Sequence, residues 1–213
     1  MTIKGVAFDQ DGLIFDTEGI WAEVHTIVFS RYEIPFTEDD HKKHYTETSS
    51  GTEGILMHYG MSHLLEQVRR EMFALRKAYT SGIKFMEGAR ELIDLLYPHL
   101  PLGIVTYAPR ESTEHTLDYF NIRDRFKFLV TRHDTENQKP HPEPYLKAAE
   151  LAGLPASEMM AFEDTSKGII SAKDAGMKCI AVPNKWTEHG DFSRADRVVK
   201  SLNDVNMEMI FSL

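Results

Sequence analysis

Acidic residues crowd the start of this 213-residue chain, directly after a short apolar run. The segment VAFDQDGLIFDTE, residues 6–18, sets Asp9 and Asp11 two positions apart and adds Asp16 and Glu18 close behind. Carboxylates repel one another at such short range, so the cluster needs positive charge from elsewhere in the chain or from a metal ion. Grouped carboxylates favour a hard cation with oxygen ligands, and Mg²⁺ usually binds between carboxylates and a substrate phosphate.

Further polar residues stand where later apolar runs end. They are Thr106 after LGIV, Lys139 in the loop that follows KFLV, and Glu163 with Asp164 after MMAF. Ligands of open parallel sheets bind outside the carboxyl ends of the strands, so these residues are expected at one edge together with Asp9. An ammonium group, a hydroxyl and the backbone N–H groups after Asp9 suit phosphate oxygens. The sequence offers no His or Cys cluster for zinc, so the pattern predicts a phosphate site supported by Mg²⁺.

The elements that must position these residues alternate between strands and helices. The predicted strands are six short apolar runs, at residues 3–8, 102–106, 127–130, 159–162, 178–182 and 197–199. Helical spacing separates most of them, as where Ala89, Leu92, Ile93 and Leu96 repeat at i, i+3, i+4 and i+7. This alternation predicts an α/β fold with a Rossmann-like, doubly wound parallel sheet and helices on both faces.

One segment, residues 17–83, breaks the alternation. It shows two clear helical patterns on either side of a polar stretch at 39–54, and no strand pattern. We therefore expect an all-helical domain at 17–83, inserted into an α/β core formed by residues 1–16 and 84–213. Most histidines of the insert are expected on its surface.

The composition excludes several classes of partner. A net charge of −9 argues against nucleic acid and anionic membranes, which bind basic surfaces. The apolar run at the N-terminus is too short for a signal peptide, and no stretch approaches the roughly 20 apolar residues of a membrane span. The single cysteine, Cys179, permits no internal disulfide and is expected to be a buried strand residue. We expect a cytoplasmic monomer.

Four motifs in this order resemble those of the haloacid dehalogenase superfamily, in its phosphatase and phosphomutase branch. They are DQDGLIFDTE at the first strand, IVTYAPR at the second, KPHPEPY at the third and FEDTSKGIISAKDAGM at the fourth. The order and spacing match over essentially the whole chain, and the helical insert is similar to the C1-type cap of the β-phosphoglucomutase-like and sugar-phosphate phosphatase enzymes.

The resemblance implies a role for each candidate residue. Asp9 would be the nucleophile that forms an aspartyl-phosphate, and Asp11 would be the general acid and base. Thr106, Tyr107 and Lys139 would bind the phosphoryl group, although Tyr107 stands where relatives often have asparagine or a small residue. Mg²⁺ would be bound by the metal ligands of the family, which correspond here to Asp9, the Asp11 carbonyl, Asp164, and Glu163 as a ligand or a neighbour of one.

The resemblance leaves three functions open. The first is a Mg²⁺-dependent phosphatase that acts on a small phosphorylated metabolite such as a sugar phosphate or a nucleotide. The second is a β-phosphoglucomutase-type mutase, but Trp21 replaces the histidine of that enzyme's cap, and ETSSGTEG (47–54) lacks its arginine. Without a cationic group to hold a second phosphate, we expect water to complete the reaction. The third is a phospholigand-binding protein without activity, which the filled catalytic positions argue against.

Overall fold

The structure is a computed structural model that describes residues 2–48 and 50–213. Ser49, within the polar stretch expected at 39–54, lies outside the described residues. The chain forms two compact units, of which one is Thr17–Ile83 and the other contains the rest of the described chain. No helix among the described residues has the length and apolar character that crossing a membrane requires.

The described residues form eight strands and nine α-helices. The strands are β1 (Gly5–Phe8), β2 (Phe15–Asp16), β3 (Lys84–Phe85), β4 (Leu102–Val105), β5 (Phe126–Val130), β6 (Met159–Glu163), β7 (Lys178–Ala181) and β8 (Arg197–Val198). The helices are α1 (Glu18–Ser30), α2 (Glu38–His41), α3 (Gly51–His58), α4 (Leu65–Tyr79), α5 (Ala89–Leu96), α6 (Arg110–Tyr119), α7 (Glu143–Ala152), α8 (Ser166–Asp174) and α9 (Met207–Ser212). Short 3₁₀ turns occur at Ser62–Leu64, Thr80–Gly82, Arg123–Arg125, Ala156–Glu158 and Leu202–Asp204.

The six predicted strands form one sheet in the order β5-β4-β1-β6-β7-β8. Every neighbouring pair in this sheet is parallel, which confirms the predicted α/β fold. Strands β1, β4 and β6 are buried along their whole length, and this explains why they read as continuous apolar runs instead of alternating ones. The edge strand β8 is short and exposed, a form that discourages pairing with another chain.

A second, smaller sheet pairs β2 with β3 in antiparallel fashion, with Phe15 opposite Phe85. The rings of these two residues lie 5.1 Å apart, and Phe120 packs against both of them. The sequence carries no signal for this pair, because a strand of two residues is too short to show a period.

The unit formed by Thr17–Ile83 is helical, and no strand lies among its described residues. Helix α1 packs on α4, with Val24 and Val28 buried on one side and Val68 and Met72 on the other. The polar stretch at 39–54 is more ordered than its composition indicates. It contains most of α2, a π-helical turn at Lys42–Glu47 and the start of α3. Reciprocal hydrogen bonds between Thr37 and Asp40 form a capping box that begins α2.

A chain of hydrogen bonds runs through the interior of this helical unit. A guanidinium can only donate, so Arg76 donates to His25 Nε2 at 3.0 Å. His25 Nδ1 therefore carries the hydrogen and donates to His41 Nδ1 at 3.2 Å, and His41 Nε2 donates to Glu18 Oε2 at 2.6 Å. Burial, together with the charge of Arg76, lowers the pKa of His25 well below its usual value. His25 and His41 are both buried, whereas most histidines of the insert were expected on its surface.

Trp21 is buried in the same unit, where the Arg76 guanidinium lies 4.6 Å from the centre of its ring. In the other unit, Cys179 is fully buried in β7, as expected, and burial raises the pKa of its thiol. A thiol of this kind is a packing residue and not a nucleophile.

Candidate active site

The topology of the sheet brings the predicted site residues together. Strand β1 lies between β4 and β6, and the chain runs outward from β1 first in one direction and then in the other. This reversal creates the crevice at the carboxyl ends of the strands in which open α/β sheets bind their ligands. Backbone hydrogen bonds extend the strand pairing to this edge, since Asp9 N–H donates to the Phe162 carbonyl at 3.0 Å. Thr106 N–H likewise donates to the Val130 carbonyl at 2.9 Å.

Lys139 connects three of these strand ends through its ammonium group. Its Nζ donates to Asp9 Oδ1 at 2.6 Å, to Glu163 Oε1 at 2.5 Å and to the Val105 carbonyl at 2.8 Å. The Lys139 side chain is 9% exposed and that of Glu163 is 0% exposed, so water screens these interactions little. A cation therefore stands beside the first acid of the opening motif, as the crowding of acids required.

The pKa values follow from burial and charge. Burial raises the pKa of Asp9 to about 7, the charge of Lys139 opposes this rise, and the Glu163 and Asp11 carboxylates add to it. Burial alone would lower the pKa of Lys139, but the Asp9 and Glu163 carboxylates outweigh that effect and raise it. Lys139 therefore remains a cation while it is in contact with two acids.

Glu163 is surrounded by groups that donate to it. Besides Lys139, the buried Tyr145 hydroxyl donates to Glu163 Oε1 at 2.5 Å, and the Thr165 hydroxyl donates to Oε2 at 3.3 Å. Gly168, in the first turn of α8, lets the carboxylate pack against the helix, because a Cβ there would lie 1.9 Å from Glu163 Oε2. Glu163 was expected to be either a metal ligand or a neighbour of one. This geometry favours the second role, in which Glu163 orients Lys139.

Asp11 and Thr106 lie on the same edge. Thr106 Oγ1 donates to Asp11 Oδ2 at 3.5 Å, and the side chain of Gln10 contacts the same oxygen at 3.5 Å. The Ala108 N–H donates to Thr106 Oγ1 at 3.1 Å and so fixes the hydroxyl at the end of β4. The predicted acid–base residue is thus next to a hydroxyl that can also bind a phosphoryl oxygen.

Asp164 contacts Asn184, a residue that the sequence did not mark as part of the site. Asn184, in the loop after β7, donates from Nδ2 to Asp164 Oδ2 at 2.9 Å and to the Gly12 carbonyl at 2.9 Å. Gly12 has φ +80°, a conformation that glycine adopts readily and other residues rarely do. A lone asparagine in a loop carries no sequence signal of its own, so only the fold reveals this contact.

Two residues near the second motif contact other partners. The Tyr107 ring is half-buried, and the Arg132 guanidinium lies 5.6 Å from its centre. Arg110 donates to Asp134 at 2.8 Å and to the Leu129 carbonyl at 3.2 Å. Phosphate binding by Tyr107 therefore stays a prediction.

Comparisons with known proteins identify the family. A family model described as haloacid dehalogenase-like hydrolase matches residues 6–182. The chain belongs to this family. The protein YhcW of Bacillus subtilis (strain 168) is 32% identical to this hydrolase over 98% of the chain and 96% of its own length.

Two further relatives of the hydrolase are named for a phosphatase activity. The phosphoglycolate phosphatase of Escherichia coli O157:H7 is 28% identical over 95% of the chain and 91% of its own length. The phosphorylated carbohydrates phosphatase of Thermotoga maritima is 27% identical over 84% of each protein. With the family, these relatives show that the hydrolase is a phosphatase.

Solved structures show the same fold for this hydrolase. CbbY from Rhodobacter sphaeroides in complex with phosphate superimposes with a TM-score of 0.86, 20% identity and coverage of 99% of the chain and 100% of its own. β-Phosphoglucomutase from Clostridium difficile superimposes with a TM-score of 0.80, 23% identity and coverage of 98% and 95%. At these identities the likeness concerns the fold.

The donor set of the hydrolase fits a magnesium ion. Among residues 2–48 and 50–213, no three His, Cys, Asp or Glu side chains are grouped so that they could bind a metal by themselves. Mg²⁺ does not require such a group, because it commonly takes one or two carboxylates and completes its shell with water and substrate phosphate. The Gly12 backbone packs closely against Asp164, since a Cβ on Gly12 would lie 2.6 Å from Asp164 Oδ2. The first-motif backbone and the Asp164 carboxylate are thus close together, as two contributors to one oxygen site must be.

Proposed function

We propose that this hydrolase is a Mg²⁺-dependent phosphomonoesterase that acts on a small phosphorylated metabolite such as a sugar phosphate or a nucleotide. One observation carries the proposal: the Lys139 ammonium contacts both Asp9 and Glu163 in a buried site at the carboxyl edge of the sheet. A carboxylate that attacks a phosphate dianion meets like-charge repulsion, and a fixed cation beside it reduces this barrier.

In the proposed reaction Asp9 is the nucleophile. Among the described residues, Lys139 is the hydrogen-bond donor to its carboxylate and contacts Oδ1, which leaves Oδ2 for attack. Oδ2 forms a bond to phosphorus while the bond from phosphorus to the ester oxygen breaks, and an aspartyl-phosphate results. Lys139 and the Thr106 hydroxyl bind oxygens of the phosphoryl group during the transfer.

Asp11 moves the protons in both halves of the reaction. Its protonated carboxyl gives a proton to the leaving ester oxygen, and its carboxylate then takes a proton from the water that attacks phosphorus. The bond between phosphorus and Asp9 breaks in this second step and releases inorganic phosphate. Asp11 lies beside Thr106, and so the acid–base group is next to the residue that binds the phosphoryl group.

The Asp9 and Asp164 carboxylates and the Asp11 carbonyl would hold Mg²⁺. When bound, the ion supplies positive charge that neutralises the phosphate oxygens and aligns them with the nucleophile. Glu163 orients Lys139 instead of contributing to this set, because Lys139, Tyr145 and Thr165 already donate to it.

A panel assay tests the proposal. Phosphate release is measured from sugar phosphates, nucleotides and phosphoglycolate, with Mg²⁺ and with EDTA. We expect release from at least one substrate with Mg²⁺ and its loss with EDTA. Asp9→Asn should lower kcat by about 10³-fold or more, because the amide cannot act as the nucleophile.

Asp124→Asn is the matched control, since it makes the same change at a side chain that is 69% exposed on the surface. Phosphate release that survives Asp9→Asn would refute the assigned nucleophile. Conversion of β-glucose 1-phosphate to glucose 6-phosphate faster than phosphate release would establish a mutase. Mg²⁺ binding without turnover of any substrate would indicate a binding protein.

A further inference from the structure

Asn184 joins two parts of the site that are far apart in sequence. One hydrogen of its Nδ2 group goes to the Gly12 carbonyl, 172 residues away, and the other goes to Asp164 Oδ2, each at 2.9 Å. Gly12 directly follows Asp11, and Asp164 directly follows β6. A single amide group therefore connects the first-motif turn with the fourth-motif acid.

The orientation of this amide is determined by its neighbours. The Trp186 N–H donates to Asn184 Oδ1 at 2.7 Å, so the atom on that side must be the oxygen and the atom facing Asp164 must be the nitrogen. The backbone of the same residue is also held. Asn184 N–H donates to Thr187 Oγ1 at 3.1 Å, and the Asn184 carbonyl accepts from the Thr187 N–H at 3.0 Å.

The contact is direct and leaves little space. A Cβ on Gly12 would lie 2.6 Å from Asp164 Oδ2 and 2.8 Å from Asn184 Nδ2, which are distances that real Cβ atoms do not show. At these distances the contacts are direct, and no water separates the three groups, so a change at Asn184 acts directly on Asp164 and on the Gly12 backbone.

An amide also differs from the other donors at this edge. Lys139 brings a positive charge to Asp9 and Glu163, whereas Asn184 donates to Asp164 without adding any charge. A neutral donor orients a carboxylate and leaves its negative charge available to a cation. Glu163 therefore accepts a hydrogen bond from a charged donor, whereas the adjacent Asp164 accepts one from a neutral amide.

We propose that Asn184 is a positioning residue that aligns Asp164 with the Asp11 turn and thereby sets the affinity of the site for Mg²⁺. This inference rests on the magnesium site of the proposed function. Donors that orient metal ligands from outside the ligand shell typically contribute about 10–100-fold to metal affinity, and Asn184 is expected in that range.

Calorimetric titration of Mg²⁺ into the purified protein tests the proposal without turnover. Asn184→Ser is the informative variant, because a serine hydroxyl can still accept the Trp186 N–H in the turn but is too short to reach Asp164 and Gly12. We expect the Kd for Mg²⁺ to rise about 10-fold or more while the thermal midpoint of unfolding shows a folded protein.

Asn203→Ser is the matched control, since it makes the same change at an exposed asparagine whose amide donates to Glu87. Its Kd for Mg²⁺ should stay close to that of the wild type. A Kd for Asn184→Ser within about twofold of the wild type would overturn the proposal, as would an equal loss in Asn203→Ser. If the wild type itself does not bind Mg²⁺, the magnesium site of the proposed function fails and the positioning role falls with it.

Discussion

Replacing Lys139 with methionine keeps the apolar stem of the side chain and removes its charge. In the wild type its Nζ lies 2.6 Å from Asp9 Oδ1, 2.5 Å from Glu163 Oε1 and 2.8 Å from the Val105 carbonyl. Water cannot replace these contacts readily, because Glu163 is 0% exposed and the Asp9 side chain is 14% exposed. The variant therefore leaves the buried Glu163, the partly exposed Asp9 and one backbone carbonyl without their common donor.

The loss of stability follows from the removal of one partner of a buried ion pair. Removal of one partner from a buried ion pair typically lowers the free energy of unfolding by about 3–5 kcal/mol. We expect Lys139→Met to lose about 4 kcal/mol. In a protein of this size about 1 kcal/mol shifts the Tm by roughly 2–4 °C, so the Tm should fall by roughly 8–16 °C.

Urea denaturation followed by tryptophan fluorescence measures this loss. The chain has two tryptophans, and each unit contains one of them, Trp21 in the helical unit and Trp186 in the other. A Trp21→Phe background therefore lets Trp186 report on the unit that contains Lys139. Phosphate release should fall in the same variant, because Lys139 is also proposed to bind the phosphoryl group.

The double variant Lys139→Met with Glu163→Gln separates charge from packing. Once Glu163 is neutral, the missing ammonium matters less, so the double variant should be more stable than Lys139→Met alone, with a coupling energy of about 1–3 kcal/mol. It should not regain activity. A loss of less than about 1 kcal/mol in the free energy of unfolding of Lys139→Met would contradict this role of Lys139. A double variant no more stable than the single one would contradict it as well.

Three other outcomes follow from the described contacts. Tyr145→Phe removes a hydroxyl that donates to the buried Glu163 carboxylate, so thermal melting should show a loss of about 1.5–3 kcal/mol. Gly168→Ala should destabilise by about 1–3 kcal/mol although alanine favours helices, because its Cβ would lie 1.9 Å from Glu163 Oε2, and kcat should fall with it. The folded-state pKa of His25 is well below its usual value of 6.5, so below that pH the unfolded chain gains a proton that the folded unit does not. Stability reported by Trp21 fluorescence should therefore fall by up to about 1.4 kcal/mol per pH unit as the pH drops below 6.5.

Each of these outcomes has its own control. The exposed Tyr119, 50% accessible, provides a matched tyrosine-to-phenylalanine change that should cost almost nothing. For Gly168, a wild-type Tm in the alanine variant would show that Glu163 moves aside without cost. His25→Phe should flatten the pH dependence of unfolding between pH 5 and 6.5, and an unchanged slope would mean that other groups produce it.

The parallel sheet could be predicted because its strands carry a local signal. Strands buried on both faces read as uninterrupted apolar runs, and the polar residues that end them mark one edge of the sheet. The β2–β3 pair and the helical turns within residues 39–54 carried no such signal. The first is too short for any period. The second is polar and lacks the regular apolar spacing of a packed helix, although a capping box between Thr37 and Asp40 begins it.

The sequence alone determined two things: which residues stand at the strand ends, and that four motifs resemble those of one family. Both depend on neighbouring positions in the chain. The hydrogen-bond partners of these residues were determined by the tertiary structure. Lys139 reaches Asp9 across 130 residues, and Asn184 reaches Gly12 across 172. A hydrogen bond forms wherever folding places a donor beside an acceptor, and burial, which gives such a bond its strength, is a property of the whole fold. For this reason the acids of the site could be predicted from the sequence. Only the fold shows that Asp9 and Glu163 contact the Lys139 ammonium and that Asp164 contacts the Asn184 amide.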